Sequence, residues 1–154
     1  MPPQRRLWDS CIVVGYLAGY EQLKPDCPKI IEQAGSGQIE IVVSAIATVE
    51  VAYLDGYSDG DAEARIREFF GRNYVVTIGL DARVAMITRG LIRKYRNLKP
   101  PDAAHLATAM QWQIPIIETT DPDLLGLDKA EGTPPIVIRK PLYEGPQQLP
   151  GFNN

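Results

Sequence analysis

Short apolar runs alternate along this chain with segments of helical periodicity, and turn residues mark most of the changes. The apolar and β-branched runs predict a short strand ending at residues 7–8 and further strands over residues 39–43, 74–78, 114–117 and 136–138. The helical pattern predicts helices over residues 10–20, 29–34, 44–53, 62–70, 81–95 and 102–112. Strands that alternate with helices predict an α/β fold, a three-layer α/β/α sandwich around a mainly parallel central sheet.

Composition narrows the chemistry. The 154 residues are enough for one domain with a full core, and the net charge of −3 gives no global sign of nucleic-acid binding. Two cysteines and a single histidine make a disulfide framework or a Cys/His zinc site improbable, so any metal is expected to be held by oxygen. We expect a cytoplasmic protein, because no apolar stretch is long enough to span a bilayer and no secretion peptide is recognisable.

Isolated acids in otherwise apolar segments are the most informative feature. Each follows a predicted strand or loop where a helix begins or runs, and they are Asp9, Glu50, Asp102 and Asp121. A carboxylate beside a buried run is costly unless it is paired, capped or bound to a cation. Ligands of open parallel sheets bind beyond the carboxyl ends of the strands. The pattern therefore predicts one shared pocket for a hard metal ion.

Each acid also has a local explanation that the sequence leaves open. Asp9 and Asp102 are suited to cap helices, and Asp121 stands in an Asp-Pro turn. Glu50 is the only charged residue between Glu40 and Asp55, which is unusual for a solvated helix face but compatible with a single exposed glutamate.

Three further features have both a structural and a functional interpretation. His105, in an apolar helix, is expected to be packed or hydrogen-bonded rather than to act as a general base. Cys11 and Trp112 are expected in the core. Residues 82–101 contain arginine and lysine but no acidic residue. The spacing of Arg89, Arg93 and Arg96 places them on one face of a predicted helix. That face is either a rim that contacts RNA or an ordinary solvated surface.

Taken together, four short segments resemble the PIN domain, and within it the VapC-like toxins of toxin–antitoxin pairs. They are Trp-Asp-Ser at residues 8–10, Ser-Ala-Ile-Ala-Thr-Val-Glu at residues 44–50, Pro-Asp-Ala-Ala-His-Leu-Ala-Thr-Ala at residues 101–109 and Thr-Thr-Asp at residues 119–121. No single segment is specific, but their order and separations are, and the resemblance runs from Leu7 to about Ile138.

The resemblance implies a Rossmann-like fold over residues 1–140, and the proline-rich, polar composition of residues 141–154 predicts an irregular tail. It implies endoribonuclease activity with Mg²⁺ or Mn²⁺ held by the four acids, a homodimer and inhibition by a small antitoxin. Residues expected to hydrogen-bond the metal ligands are Ser10, Thr119 and Asp123. The first strand is shorter than in the family, a further acid that many relatives carry before Asp102 is missing, and the proline-rich tail has no counterpart.

Other functions remain open at this point. A PIN nuclease that processes RNA without an antitoxin would have the same four acids, whereas a catalytically inactive PIN-like RNA-binding module would not need them. A nucleotide-binding Rossmann protein is disfavoured, because no Gly-x-Gly-x-x-Gly follows the first strand.

Overall fold

The computed structural model describes residues 2–145. Five strands form one sheet: β1 (Gln4–Trp8), β2 (Ile39–Ser44), β3 (Val75–Ile78), β4 (Ile116–Glu118) and β5 (Val137–Arg139). Seven α-helices lie among these residues: α1 (Ser10–Ala18), α2 (Asp26–Gly35), α3 (Ala45–Glu50), α4 (Asp59–Phe70), α5 (Ala82–Lys94), α6 (Pro100–Gln111) and α7 (Pro122–Leu125). Residues 141–145 form neither helix nor strand, and the rest of the predicted tail lies outside the described residues.

All strand pairs are parallel, in the order β3-β2-β1-β4-β5. Successive strand residues face opposite sides of the sheet. Trp8 packs with α1, α2 and α4 in one core cluster, while Leu7 packs with α5, α6 and α7 in the other. The predicted three-layer α/β/α sandwich is confirmed.

The strand order creates a crevice. The chain leaves β1 toward β2 and β3, then returns to place β4 and β5 on the other side of β1. The connection after β1 therefore runs to one side of the sheet, and the connection after β4 runs to the other. Open α/β sheets bind ligands at the crevice between two such strands. Asp9 directly follows β1, and Asp121 lies a short distance beyond Glu118, the last residue of β4.

Several predicted boundaries were wrong for local reasons. α1 ends at Ala18, because Gly19 takes a left-handed conformation with φ of 76°. α2 begins at Asp26, before Pro28 rather than after it, since the amide that proline lacks has no partner in the first helical turn. Trp112, expected in the core, is 48% exposed at the end of α6. Within residues 2–145, no helix has both the length and the apolar character needed to cross a membrane.

Candidate metal centre

The carboxyl edge of the sheet holds a cleft of about 380 Å³. Its walls come from the ends of β1 and β4 and from α3 and α6. The lining residues include all the acids predicted from the sequence, and they are Asp9, Ser10, Cys11, Glu50, Lys99, Pro101, Asp102, Thr120 and Asp121. Sequence reasoning placed Cys11 in the core and did not select Lys99, so these two cleft residues were missed.

Asp9 is fixed by its neighbours. It is the N-cap of α1, and one carboxylate oxygen accepts a 2.7 Å hydrogen bond from the Ser10 amide. The other accepts from the Thr119 hydroxyl at 2.7 Å and from the Cys11 thiol at 3.4 Å. Only 4% of Asp9 is exposed. The capping role and the cleft position therefore coexist, because a carboxylate can accept several donors.

Asp121 is oriented from both sides. It is the N-cap of α7, where its carboxylate accepts from the Asp123 amide at 2.8 Å, and its own amide donates to the Thr119 hydroxyl at 2.9 Å. Thr119 thus joins Asp121 to Asp9 through its hydroxyl group. Asp123 contributes its backbone amide to this arrangement, while its side chain is exposed.

Asp102 lies in the first turn of α6 and is buried. Burial and the neighbouring carboxylates of Asp121 and Asp9 raise the pKa of Asp102 to about 7. Carboxyl oxygens of these three residues lie within 4.8 Å of one another. Three mutually repelling oxygen donors in one cleft are the donor set that a hard divalent cation neutralises, so the residues present fit such an ion.

Glu50, the last residue of α3, forms the outer wall with a side chain that is 33% exposed. Its carboxylate accepts hydrogen bonds from the Ser10 hydroxyl and from His105 Nε2, the latter at 3.1 Å. Hydrogen bonding by His105, and then by Ser10, lowers the pKa of Glu50 below its ordinary value. His105 is fully buried and partner-bonded, as the sequence led us to expect.

The predicted arginine rim is only partly helical. Arg89 and Arg93 are exposed on α5 and separated by about one helical turn, whereas α5 ends at Lys94 and Arg96 lies beyond it. The prediction of one helical face for all three was therefore wrong for Arg96. Lys99, which precedes α6, brings a positive charge to the cleft itself.

Comparison with known proteins identifies the family. The family model of the PIN domain matches residues 7–130, and the chain therefore belongs to the PIN domain family. PIN domains are generally nucleases that use divalent metals. No curated protein sequence matches the chain significantly.

Three solved structures share the fold. VapBC2 from Rickettsia felis, solved bound to a DNA fragment from its promoter, has 12% identity and a TM-score of 0.65, with 88% of this chain and 98% of that chain covered. A toxin–antitoxin complex from Klebsiella pneumoniae has 24% identity and a TM-score of 0.61, with 79% of this chain and 92% of that chain covered. FitAcB from Neisseria gonorrhoeae has 20% identity and a TM-score of 0.53, covering 88% and 97%.

Proposed function

We propose that this protein is a metal-dependent endoribonuclease that hydrolyses RNA phosphodiester bonds and serves as the toxin of a type II toxin–antitoxin pair. The observation that carries the proposal is the convergence of Asp9, Asp102 and Asp121, which come from distant parts of the chain and place carboxyl oxygens within 4.8 Å of one another. Membership of a family that consists mainly of nucleases supports it.

The three aspartates and Glu50 would hold Mg²⁺ or Mn²⁺. When bound, such an ion lowers the pKa of water and neutralises charge on phosphoryl oxygens. Asp102 must lose its proton to serve as a ligand, whereas hydrogen bonding favours the ionised form of Glu50. Glu50 lines the exposed wall of the cleft and would complete the ligand set from the solvent side.

Positive side chains near the cleft would hold the RNA backbone. Lys99 lines the cleft, and exposed Arg89 and Arg93 lie on the neighbouring helix α5, which packs on α6. Together with Arg96, they would form a rim that binds phosphates while the acids act on one of them. The rim offsets the repulsion between RNA and a cleft lined by carboxylates.

An antitoxin partner is proposed from the fold neighbours, two of which are VapBC or toxin–antitoxin assemblies. A homodimer is proposed because the resemblance to VapC-like PIN toxins implies one. A small open reading frame beside this gene would distinguish a toxin from an RNA-processing nuclease.

The activity is tested by incubating an RNA oligonucleotide and a DNA of the same sequence with the protein in EDTA, Mg²⁺ or Mn²⁺. We expect cleavage of RNA that requires the metal and falls by about 10²-fold or more in Asp102→Asn, the scale on which removing one charge-stabilising group acts. Asp61→Asn, an exposed acid in the first turn of α4, is the matched control and should cleave normally. Equal cleavage by wild type and Asp102→Asn would reject the catalytic assignment, and preferential cleavage of DNA would reject the substrate.

A further inference from the structure

One nitrogen atom in the core connects the separate parts of the candidate site. His105 lies on α6 just after Asp102, and its side chain is fully buried. Its Nε2 is 3.1 Å from Glu50 Oε1, 3.2 Å from Ser10 Oγ and 3.3 Å from Asp9 Oδ1. Helix α6 thereby reaches both the start of α1 and the end of α3 through a single side-chain atom.

The environment of the other ring nitrogen assigns the proton. Among residues 2–145, His105 Nδ1 is buried and has no hydrogen-bond partner. A proton on Nδ1 would be an unpaired buried donor, whereas a proton on Nε2 points toward three acceptors. Ser10 can be one of them because its hydroxyl donates to Glu50 and leaves its oxygen lone pairs free. The hydrogen bonds therefore favour the tautomer with its proton on Nε2.

We propose that His105 is a positioning residue, which holds the Glu50 carboxylate in place beside the metal from the core side. This inference rests on the proposed function. Asp9 has other donors in the Ser10 amide, Thr119 and Cys11, and keeps its orientation without His105. Glu50 depends on Ser10 and His105 in the described part of the chain. Loss of the imidazole should therefore change metal affinity and kcat chiefly by releasing the Glu50 carboxylate.

A competing role for His105 is direct metal ligation. Its ligand atom lies within 4.8 Å of oxygens of Asp9 and Glu50, so the three could in principle share an ion. Ligation through Nε2 would move the proton to Nδ1, which has no acceptor in its buried surroundings. Metal ligands of the histidine type normally have a partner for the second nitrogen, and its lack favours the donor role.

The two roles separate when the imidazole is replaced by a side chain that keeps an N–H donor. His105→Gln carries an amide donor of similar reach, and His105→Leu carries none. Thr108→Val is the matched control, since Thr108 is buried one turn further along α6 and its hydroxyl bonds the Ala104 carbonyl of the same helix. Mn²⁺ affinity is measured by titration calorimetry on each folded variant, followed by kcat and KM for RNA cleavage.

We expect His105→Leu to lose about 10–100-fold in Mn²⁺ affinity or in kcat, the usual effect of removing a group that orients a metal ligand. His105→Gln should recover most of the loss, and Thr108→Val should match wild type. Unchanged affinity and kcat in His105→Leu would overturn the inference. A Gln variant as defective as the Leu variant would also overturn it in favour of ligation.

Two safeguards keep this experiment decisive. If His105→Leu does not fold, His105→Asn replaces it, because its amide is one bond shorter than that of Gln and falls short of Glu50. Wild type and Asp102→Asn are titrated beside the variants. Absence of Mn²⁺ binding by wild type would reject the proposed function itself, whereas normal Mn²⁺ affinity together with normal kcat in both wild type and His105→Leu would reject only the positioning role.

Discussion

The carboxyl group of Asp102 links the candidate site to protein stability. Its pKa of about 7 results from burial and from the charges of Asp121 and Asp9, and lies well above the value of about 3.9 in an unfolded chain. Between these two pKa values the folded, metal-free protein binds more protons than the unfolded chain. The free energy of unfolding must then fall as pH rises toward 7, so stability from this group is complete in acid and is lost above the folded pKa.

Asp102→Asn should remove that dependence. In EDTA at about pH 8, where the wild-type carboxylate is ionised beside two others, the variant should melt at a higher temperature, by about 2–4 °C for each kcal/mol of repulsion relieved. At about pH 4.5 the difference should be much smaller, because Asp102 is still protonated in the folded protein and this group's stability has only begun to fall. Thermal melts of wild type, Asp102→Asn and the exposed control Asp61→Asn at both pH values measure the difference. A variant that melts at a lower temperature than wild type at the higher pH would contradict the proposed repulsion among Asp9, Asp102 and Asp121.

The same residues show what local sequence reasoning can and cannot provide. Asp9 and Asp121 are both N-caps, so the capping interpretation is correct for Asp9. It is wrong for Asp102, because Lys99 is the N-cap of α6 and Asp102 stands in the first turn of that helix. Their residue type and junction positions were readable from the sequence, but their convergence depends on topology. The partners of His105 were not readable, because Ser10 and Glu50 lie 95 and 55 residues away in the chain.

At the level of elements, two strand boundaries differ from the predicted ones: the start of β1 and the start of β4. β1 begins at Gln4 despite two arginines, because Arg5 pairs with Glu40 of β2 at 3.0 Å and Arg6 reaches a buried glutamate of β4. β4 starts later than predicted, at Ile116. Gln113 adopts a left-handed φ of 53° and the Ile114 amide bonds back to Ala109, which makes this apolar residue part of the end of α6.

The end of α5 also determines which basic side chains are free to bind RNA. Lys94 is paired with Glu131 at 2.6 Å, and the hydroxyl of Tyr95 donates to the same carboxylate at 2.7 Å. These two interactions fasten the end of α5 to the segment before β5. Lys94 is therefore partly neutralised, and Arg89 and Arg93 remain as the exposed helical part of the proposed rim.

Charge reversal of Arg89 and Arg93 together should reduce the salt dependence of RNA binding. For a single-stranded RNA, the slope of log K against log salt should become shallower by about 0.7 for every phosphate that the protein no longer neutralises. Binding is measured by fluorescence anisotropy in an Asp102→Asn background, which keeps the RNA intact. Arg65→Glu combined with Arg67→Glu, both exposed on α4 in the opposite layer, gives the same change in net charge and is the control. Slopes that stay parallel to the parent protein would exclude the rim.

For the whole molecule, the alternation of strands and helices was sufficient to predict a parallel sheet between two helical layers. Strand order was not predictable, because the same alternation is compatible with several orders that obey the usual handedness. The order β3-β2-β1-β4-β5 makes β1 and β4 neighbours and brings the ends of both strands into one crevice. The predicted division between a domain of residues 1–140 and a tail stays a prediction.

A buried ion pair attaches the segment after β5 to the sheet. Glu118, the last residue of β4, is fully buried and accepts hydrogen bonds from Trp8 Nε1 at 3.0 Å, Arg6 at 3.1 Å and the Leu142 amide at 3.0 Å. Burial raises the pKa of Glu118 despite these donors. Leu142 lies beyond residues 7–130, the part of the chain that the family model matches, and its hydrogen bond to Glu118 joins residues 141–145 to β4.

Removing one member of this ion pair should lower the free energy of unfolding far more than removing both members. Glu118→Ala removes the buried carboxylate from the Arg6 guanidinium, which is 2% exposed and keeps only the more distant and partly exposed Glu144 at 3.7 Å among the described residues. Loss of one partner from a buried pair typically costs about 3–5 kcal/mol. Arg6→Met with Glu118→Leu removes both charges and should recover much of that loss, because apolar residues of similar volume often replace such pairs without penalty. Urea unfolding measures the stabilities, and hydrogen exchange at the Leu142 amide reports whether residues 141–145 detach. If the double variant is less stable than Glu118→Ala, the two charges stabilise the protein beyond neutralising each other. This account of how residues 141–145 are attached would then be wrong.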